Sequence, residues 1–135
     1  MVVDASVVVK WFFAEPDHDV ARELLEGPDP LSAPDLLLAE LGDALRRKVM
    51  AGEAPVAVVR PVLDVVGDGT AVRLDATPPL VPRALELSLR MGHAFPDCVY
   101  VASAIERGAP LVTADERLAR TVRMSGLDVE VRTLR

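Results

Sequence analysis

The 135-residue chain has no asparagine, no glutamine and a single cysteine. With Cys98 alone, no intramolecular disulfide can form and no cage of thiolates can hold a metal. Long apolar runs are also missing. The longest, such as Val7–Ala14, is broken by Lys10 and cannot span a membrane. The first residues lack the basic-then-apolar layout of a signal peptide, because Asp4 stands where Lys or Arg would be expected. The expectation is a cytoplasmic protein without a membrane partner. No P-loop signature is present, which removes one class of nucleotide-cradling loop. Positive charge is scarce as well: 15 Lys and Arg against 21 Asp and Glu leave a formal net charge of −6. A nucleic acid would have to be held by local Arg clusters or bound cations, since bulk charge opposes it. The missing amides fit a hot source. A GC-rich bias toward Ala, Val, Arg and Pro fits equally.

What is present is a folding sequence. Half of the residues are hydrophobic, and the length suits one domain over residues 1–135 with one core. No repeat, low-complexity tract or dividing linker interrupts it. Short β-type runs alternate with helical patterns. Strands are expected at Met1–Ala5, Leu31–Ala33, Ala71–Asp75, Leu111–Thr113 and Val129–Thr133. Helices are expected at Ser6–Phe13, from an Asp17 cap to Leu25, from Pro34-Asp35 to Ala51, over Pro55–Val66 with a kink or break at Pro61, and over Pro79–Met91, Pro96–Arg107 and Asp115–Ser125. This alternation predicts an α/β fold with a central, mainly parallel sheet and helices on both faces. Ligands of such sheets bind beyond the carboxyl ends of the strands. Asp4 and Asp115, each at or just past a strand end, are expected to share that crevice.

Four acids have an unusual setting. Asp4 interrupts VVDAS, Glu40 interrupts LLLAELGDAL, Asp97 opens the apolar AFPDCVYVASA, and Asp115 follows the buried run in LVTADERL. Each has a structural explanation. Asp4 and Asp115 can be N-caps, Asp97 can favour a helix start through the macrodipole, and Glu40 can pair with a base. If the four converge, like charges in a low-dielectric crevice require protonation or bound cations. Hard oxygen ligands without His or Cys suit Mg²⁺ or Mn²⁺. Such ions activate water and stabilise the oxygens of an in-line attack on phosphorus.

The stretches VVDASVVVKWF, APDLLLAELGDALRRK and PDCVYVASAIERGAPLVTADERLAR resemble the PIN-domain family, specifically its VapC-like ribonuclease toxins. The likeness covers nearly the whole chain. It implies a PIN fold with sheet order 3-2-1-4-5. It implies that Asp4, Glu40, Asp97 and Asp115 form a catalytic site binding Mg²⁺ or Mn²⁺. It implies hydrolysis of single-stranded or loop RNA (tRNA, rRNA or mRNA) to 5′-phosphate and 3′-hydroxyl ends. It also implies a homodimer and a small antitoxin protein that docks on the toxin and blocks the site. The acid cluster further suggests that the antitoxin places an Arg or Lys among the carboxylates.

Ser6 and Thr113 occupy positions where this family often has a hydroxyl. They can steady a ligand carboxylate, or cap a helix and fill a strand. One departure concerns Asp43, where the family commonly has Asn. It shares a helix face with Glu40, so it is either a fifth acid of the site or a salt-bridge partner of Arg46 or Arg47. Arg46, Arg47 and Lys48, and Arg117, Arg120 and Arg123, are the candidate RNA-phosphate contacts; a solvated face explains both sets as well. His93 is expected to be a solvated loop residue and Cys98 a core filler. Trp11, Phe12 and Phe13 are expected in the core or a dimer contact.

Two other functions compete. One is a catalytically inert PIN scaffold that binds RNA or protein, which the four intact acids oppose. The other is a phosphate-handling enzyme of a different doubly wound family. An aspartyl phosphatase would want a second Asp two residues after Asp4, where Ser6 stands. A phosphoacceptor domain would want paired acids and a late Lys after a strand.

Overall fold

A computed structural model describes residues 1–135. The strands are short, two or three residues each. β1 (Val2–Val3), β2 (Ser32–Pro34), β3 (Arg73–Asp75), β4 (Leu111–Thr113) and β5 (Val131–Thr133) pair in the order β3-β2-β1-β4-β5, all parallel. The helices are α1 (Ala5–Val8), α2 (His18–Glu26), α3 (Leu36–Met50), α4 (Val59–Gly67), α5 (Val81–Met91), α6 (Phe95–Arg107) and α7 (Glu116–Met124). They cover both faces of the sheet. Val2, Val3 and Leu111 have no exposed surface, as expected for strands covered on both sides.

The order places a switch point beside β1. The chain leaves β1 toward β2 and β3, then returns to its other side as β4. α6 packs on β1, β2 and β4, and α3 packs on β2 and α1. A crevice therefore opens past the carboxyl ends of β1 and β4, with α3 and α6 within reach. One 31-residue core fills the interior, with Leu37, Leu41 and Leu45 as the buried stripe of α3 and Val99, Tyr100, Val101 and Ala102 inside α6. No helix is long and apolar enough to cross a membrane.

Several boundaries differ from the sequence expectation. β1 ends at Val3 because Asp4 turns the chain and caps α1, accepting from the Val7 N–H. β5 covers Val131–Thr133 rather than Val129–Thr133, because it pairs residue for residue with a three-residue β4. β3 begins at Arg73 rather than Ala71 for the same reason, opposite β2. Before α4 the chain makes a 3₁₀ turn at Val56–Val58, and α4 starts two residues ahead of Pro61. The proline thus lies in the first turn, where its missing N–H removes no helix bond. Asp17 precedes α2 without capping it. It sits in the left-handed region (φ 66°), and its carboxylate accepts from Arg135 Nε at 3.0 Å. α6 ends at Gly108 with φ 59°, a left-handed cap that suits glycine. Arg107, in the last turn of α6, donates two bonds of 2.6 Å to Asp75 and ties the helix to the edge strand.

Candidate active site

Four acids from four elements line one cleft of about 550 Å³: Asp4 after β1, Glu40 on α3, Asp97 on α6 and Asp115 before α7. Ser6 and Asp43 line it too, while Thr113 lies beneath, fully buried.

Asp4 is the most enclosed, with 6 % of its surface exposed. Its Oδ1 accepts from Ser6 Oγ at 2.5 Å and from the Val7 N–H at 3.3 Å, and its Oδ2 accepts from Thr113 Oγ1 at 2.5 Å. Burial pushes its carboxyl up to about 6. The bonds from Ser6, Thr113 and Val7 oppose that rise, and the charge of Asp97 adds to it. Glu40 is also raised, chiefly by burial, with the charges of Asp97 and Asp43 adding and that of Arg47 opposing. Asp115 caps α7, its Oδ1 accepting from the N–H groups of Arg117 and Leu118 at 2.9 and 3.1 Å. Capping and a place in the cleft coexist, for Asp4 as for Asp115. Asp43 combines its two readings in the same way: it pairs with Arg47 one turn on and lines the cleft beside Glu40.

Tyr100 went unremarked in the sequence. It is 1 % exposed, and its hydroxyl has no hydrogen-bond partner. It lies beside Glu40, outside hydrogen-bond geometry. Burial and the charges of Glu40, Asp4 and Asp97 hold its phenol far above the usual range, so it stays a protonated donor. The available signal was its place as the sole tyrosine, one turn after Asp97 on an apolar helix. Lys10 and Glu15 also line the cleft without having been singled out. Lys10 was legible as the charge that breaks the Val7–Ala14 run.

His93 is not solvated. Its ring is 7 % exposed, and Nε2 lies 2.7 Å from Asp97 Oδ2. The ligand atoms of His93, Asp97 and Asp115 fall within 4.8 Å of one another. A loop residue one turn before Asp97 is carried inward because Phe95 starts α6 directly behind it. Among the basic candidates, Arg47 lines the cleft, and Arg46, Arg117 and Arg120 are exposed. Arg123 donates to the Val131 carbonyl at 2.9 Å. Lys48 is turned inward, 3.3 Å from Glu15, 3.5 Å from Glu53 and 4.7 Å above the Phe13 ring. Trp11 is buried and donates from Nε1 to the Ala21 carbonyl at 2.9 Å; Cys98 is buried in the core.

The donor set fits a hard divalent cation. Four carboxylates surround one space, and burial together with the charge of neighbouring acids raises two of them. A divalent cation would offset the charge of these acids.

A crossover sheet with an acid-lined crevice at its switch point defines a doubly wound α/β protein built around a carboxylate centre. The PIN domain family model matches residues 1–124, and the chain belongs to the PIN-domain family. It is 34 % identical over 136 residues to the protein named Ribonuclease VapC1 in two strains of Mycobacterium tuberculosis, CDC 1551 / Oshkosh and H37Rv, covering 99 % of this chain and 97 % of that one. Two solved structures share the fold, each with a TM-score of 0.72. PAE2754 from Pyrobaculum aerophilum is 22 % identical, over 98 % of this chain and 82 % of its own. Mycobacterium tuberculosis VapC20, described as a sarcin-ricin loop cleaving toxin, is 18 % identical, over 95 % and 97 %.

Proposed function

We propose that this chain is a metal-dependent endoribonuclease, the toxin of a toxin–antitoxin pair, which hydrolyses RNA phosphodiesters at the Asp4–Glu40–Asp97–Asp115 cleft. The observation that carries this reading is the meeting of those four acids, from four separate elements, at the switch point of a parallel sheet. The near full-length similarity to a protein named as a ribonuclease supports the reaction class.

The four acids, with Mg²⁺ or Mn²⁺ as the resident cation, make the binding set. Such a cation supplies the Lewis acidity that generates hydroxide near neutral pH and neutralises charge at the phosphate. The chain's own residues do the rest. Ser6 and Thr113 hold both oxygens of Asp4 in one orientation. Tyr100, one turn after Asp97 on α6, is buried with its phenol protonated. Lys10 and Arg47, on the cleft wall, offer positive charge to the flanking backbone of a bound strand. An acidic protein thus meets an anionic polymer only where cations are concentrated. The same reading includes a homodimer and a small antitoxin that blocks the cleft with a basic side chain.

The test is cleavage of a mixed small-RNA pool by purified protein with Mg²⁺, with Mn²⁺ and with EDTA, beside Asp4→Asn and Asp97→Asn variants that remain folded by circular dichroism. Metal-dependent cutting that vanishes in both variants is expected. Cutting that survives EDTA, or survives both substitutions, would overturn the reading.

A further inference from the structure

Resting on the metal-dependent reading above, we propose that His93 is a positioning residue. Its Nε2–H fixes one oxygen of Asp97, so that the other is presented to the cation in a single orientation. Among the acids with a hydrogen-bond partner, Asp97 depends on a single side chain. Both oxygens of Asp4 are held by hydroxyls, and Asp115 is clamped by two backbone N–H groups. For Asp97 the single side-chain bond is the one from His93, to Oδ2 at 2.7 Å; Oδ1 has no protein partner.

A carboxylate only accepts, so Nε2 carries the proton in this contact. While Nε2 donates to Asp97 it has no lone pair for a metal, although His93, Asp97 and Asp115 lie close enough to form a three-ligand set. The ring is also built into place. It is 7 % exposed, and Ser88 Oγ donates to the His93 carbonyl at 2.6 Å, pinning the backbone between α5 and α6. A carboxylate oriented by a buried ring gains ligand precision, and loss of such a supporting contact typically costs about 10–100-fold in metal affinity.

The experiment is Mn²⁺ titration by calorimetry on the full chain without RNA, comparing wild type, His93→Ala and His93→Gln. Pulsed electron paramagnetic resonance of the Mn²⁺-loaded samples follows. His93→Ala should bind Mn²⁺ about 10–100-fold more weakly. His93→Gln, which keeps an N–H donor, should recover most of that loss and remains informative if the alanine variant fails to fold. Wild type should show no directly coordinated nitrogen. Unchanged affinity in both variants would overturn the inference. So would a strong nitrogen coupling in wild type that both variants lose, because His93 would then be a ligand. A wild type that binds no Mn²⁺ would overturn the metal reading itself and this inference with it. That failure is distinguishable, because RNA cleavage would then be unaffected by EDTA.

Discussion

Thr113 Oγ1 donates to Asp4 Oδ2 across 109 residues of chain, and the direction of that bond is fixed by a second one. The Asp115 N–H donates to the same Thr113 oxygen at 3.0 Å, and the Ala114 N–H donates to Ser6 Oγ at 2.9 Å. Each hydroxyl accepts from the β4–α7 turn and gives its own proton to Asp4. The pairing of Val3 with Val112 brings this about, since it sets Asp4 and Thr113 side by side at the next position of neighbouring strands. Thr113→Val keeps the shape and removes both bonds. We expect it to lower stability by about 1.5–3 kcal/mol in urea unfolding at pH 7, the range for a hydrogen bond to a charged group. Thr113→Ser should recover most of the loss. A valine variant as stable as wild type would show that the hydroxyl does not hold Asp4.

The raised carboxyl of Asp4 predicts an unusual pH dependence without metal. An aspartate at about 3.8 in the unfolded chain and about 6 when folded binds more protons in the native state between those values. Its stabilising contribution is therefore complete below about 3.8 and is lost as pH rises through about 6. The shift corresponds to at most about 3 kcal/mol. Other acids tilt the curve the opposite way; Asp75, held low by Arg107, is one. The clean observable is thus the difference between wild type and Asp4→Asn. Measured in EDTA from pH 3.5 to 7.5, that difference should move in favour of the variant as pH rises, and Mn²⁺ should reverse it for wild type alone. A difference independent of pH would place Asp4 in a normal, solvated setting.

Tyr100→Phe separates a structural hydroxyl from a functional one. The phenol is buried without a partner, so deleting the oxygen removes a desolvation cost rather than a bond. Metal-free stability should stay level or rise by up to about 1 kcal/mol. RNA cleavage should fall, by about tenfold or more, if the hydroxyl supports the site. A clear loss of stability with full activity would mean that the oxygen bonds within the fold and has no part in the cleft.

The part of this site readable from sequence was the part that depends on strand ends. Asp4 and Asp115 follow adjacent parallel strands, so the rule for ligand crevices brings them together without knowledge of packing. Glu40 and Asp97 sit on helices, and their apolar neighbours marked them as unusual without saying what they face. Their place in the cleft followed only from α3 and α6 packing against the centre of the sheet. His93 was misjudged because a lone loop histidine has no periodicity; its burial depends on how α5 hands over to α6. Lys48 looked like one of three basic residues on a helix. Arg46 and Arg47 do reach the surface, but the helix turn carries Lys48 toward Glu15 and Phe13, and only tertiary structure supplies those partners. The strand boundaries missed for a related reason: β-type composition continues past the residues that have a neighbour to pair with.

That contrast between Lys48 and Arg47 yields a final prediction. Lys48 is held by Glu15 and Glu53 over the Phe13 ring, and Glu15 already has one buried oxygen without a partner. Removing the cation leaves that carboxylate enclosed and uncompensated, so Lys48→Met should cost about 1–3 kcal/mol of stability. Arg47 is exposed on the cleft wall and bonded only to Asp43, so Arg47→Ala should change stability by less than about 0.5 kcal/mol. RNA binding should respond the other way. In an Asp97→Asn background that prevents cutting, the slope of log affinity against log salt should shrink by about 0.7 for Arg47→Ala, the loss of one phosphate contact on a single strand. Lys48→Met should leave that slope unchanged while the protein remains folded. A reduced slope for Lys48→Met and none for Arg47→Ala would take the bound strand away from Arg47, and the proposed path of the RNA would have to be abandoned.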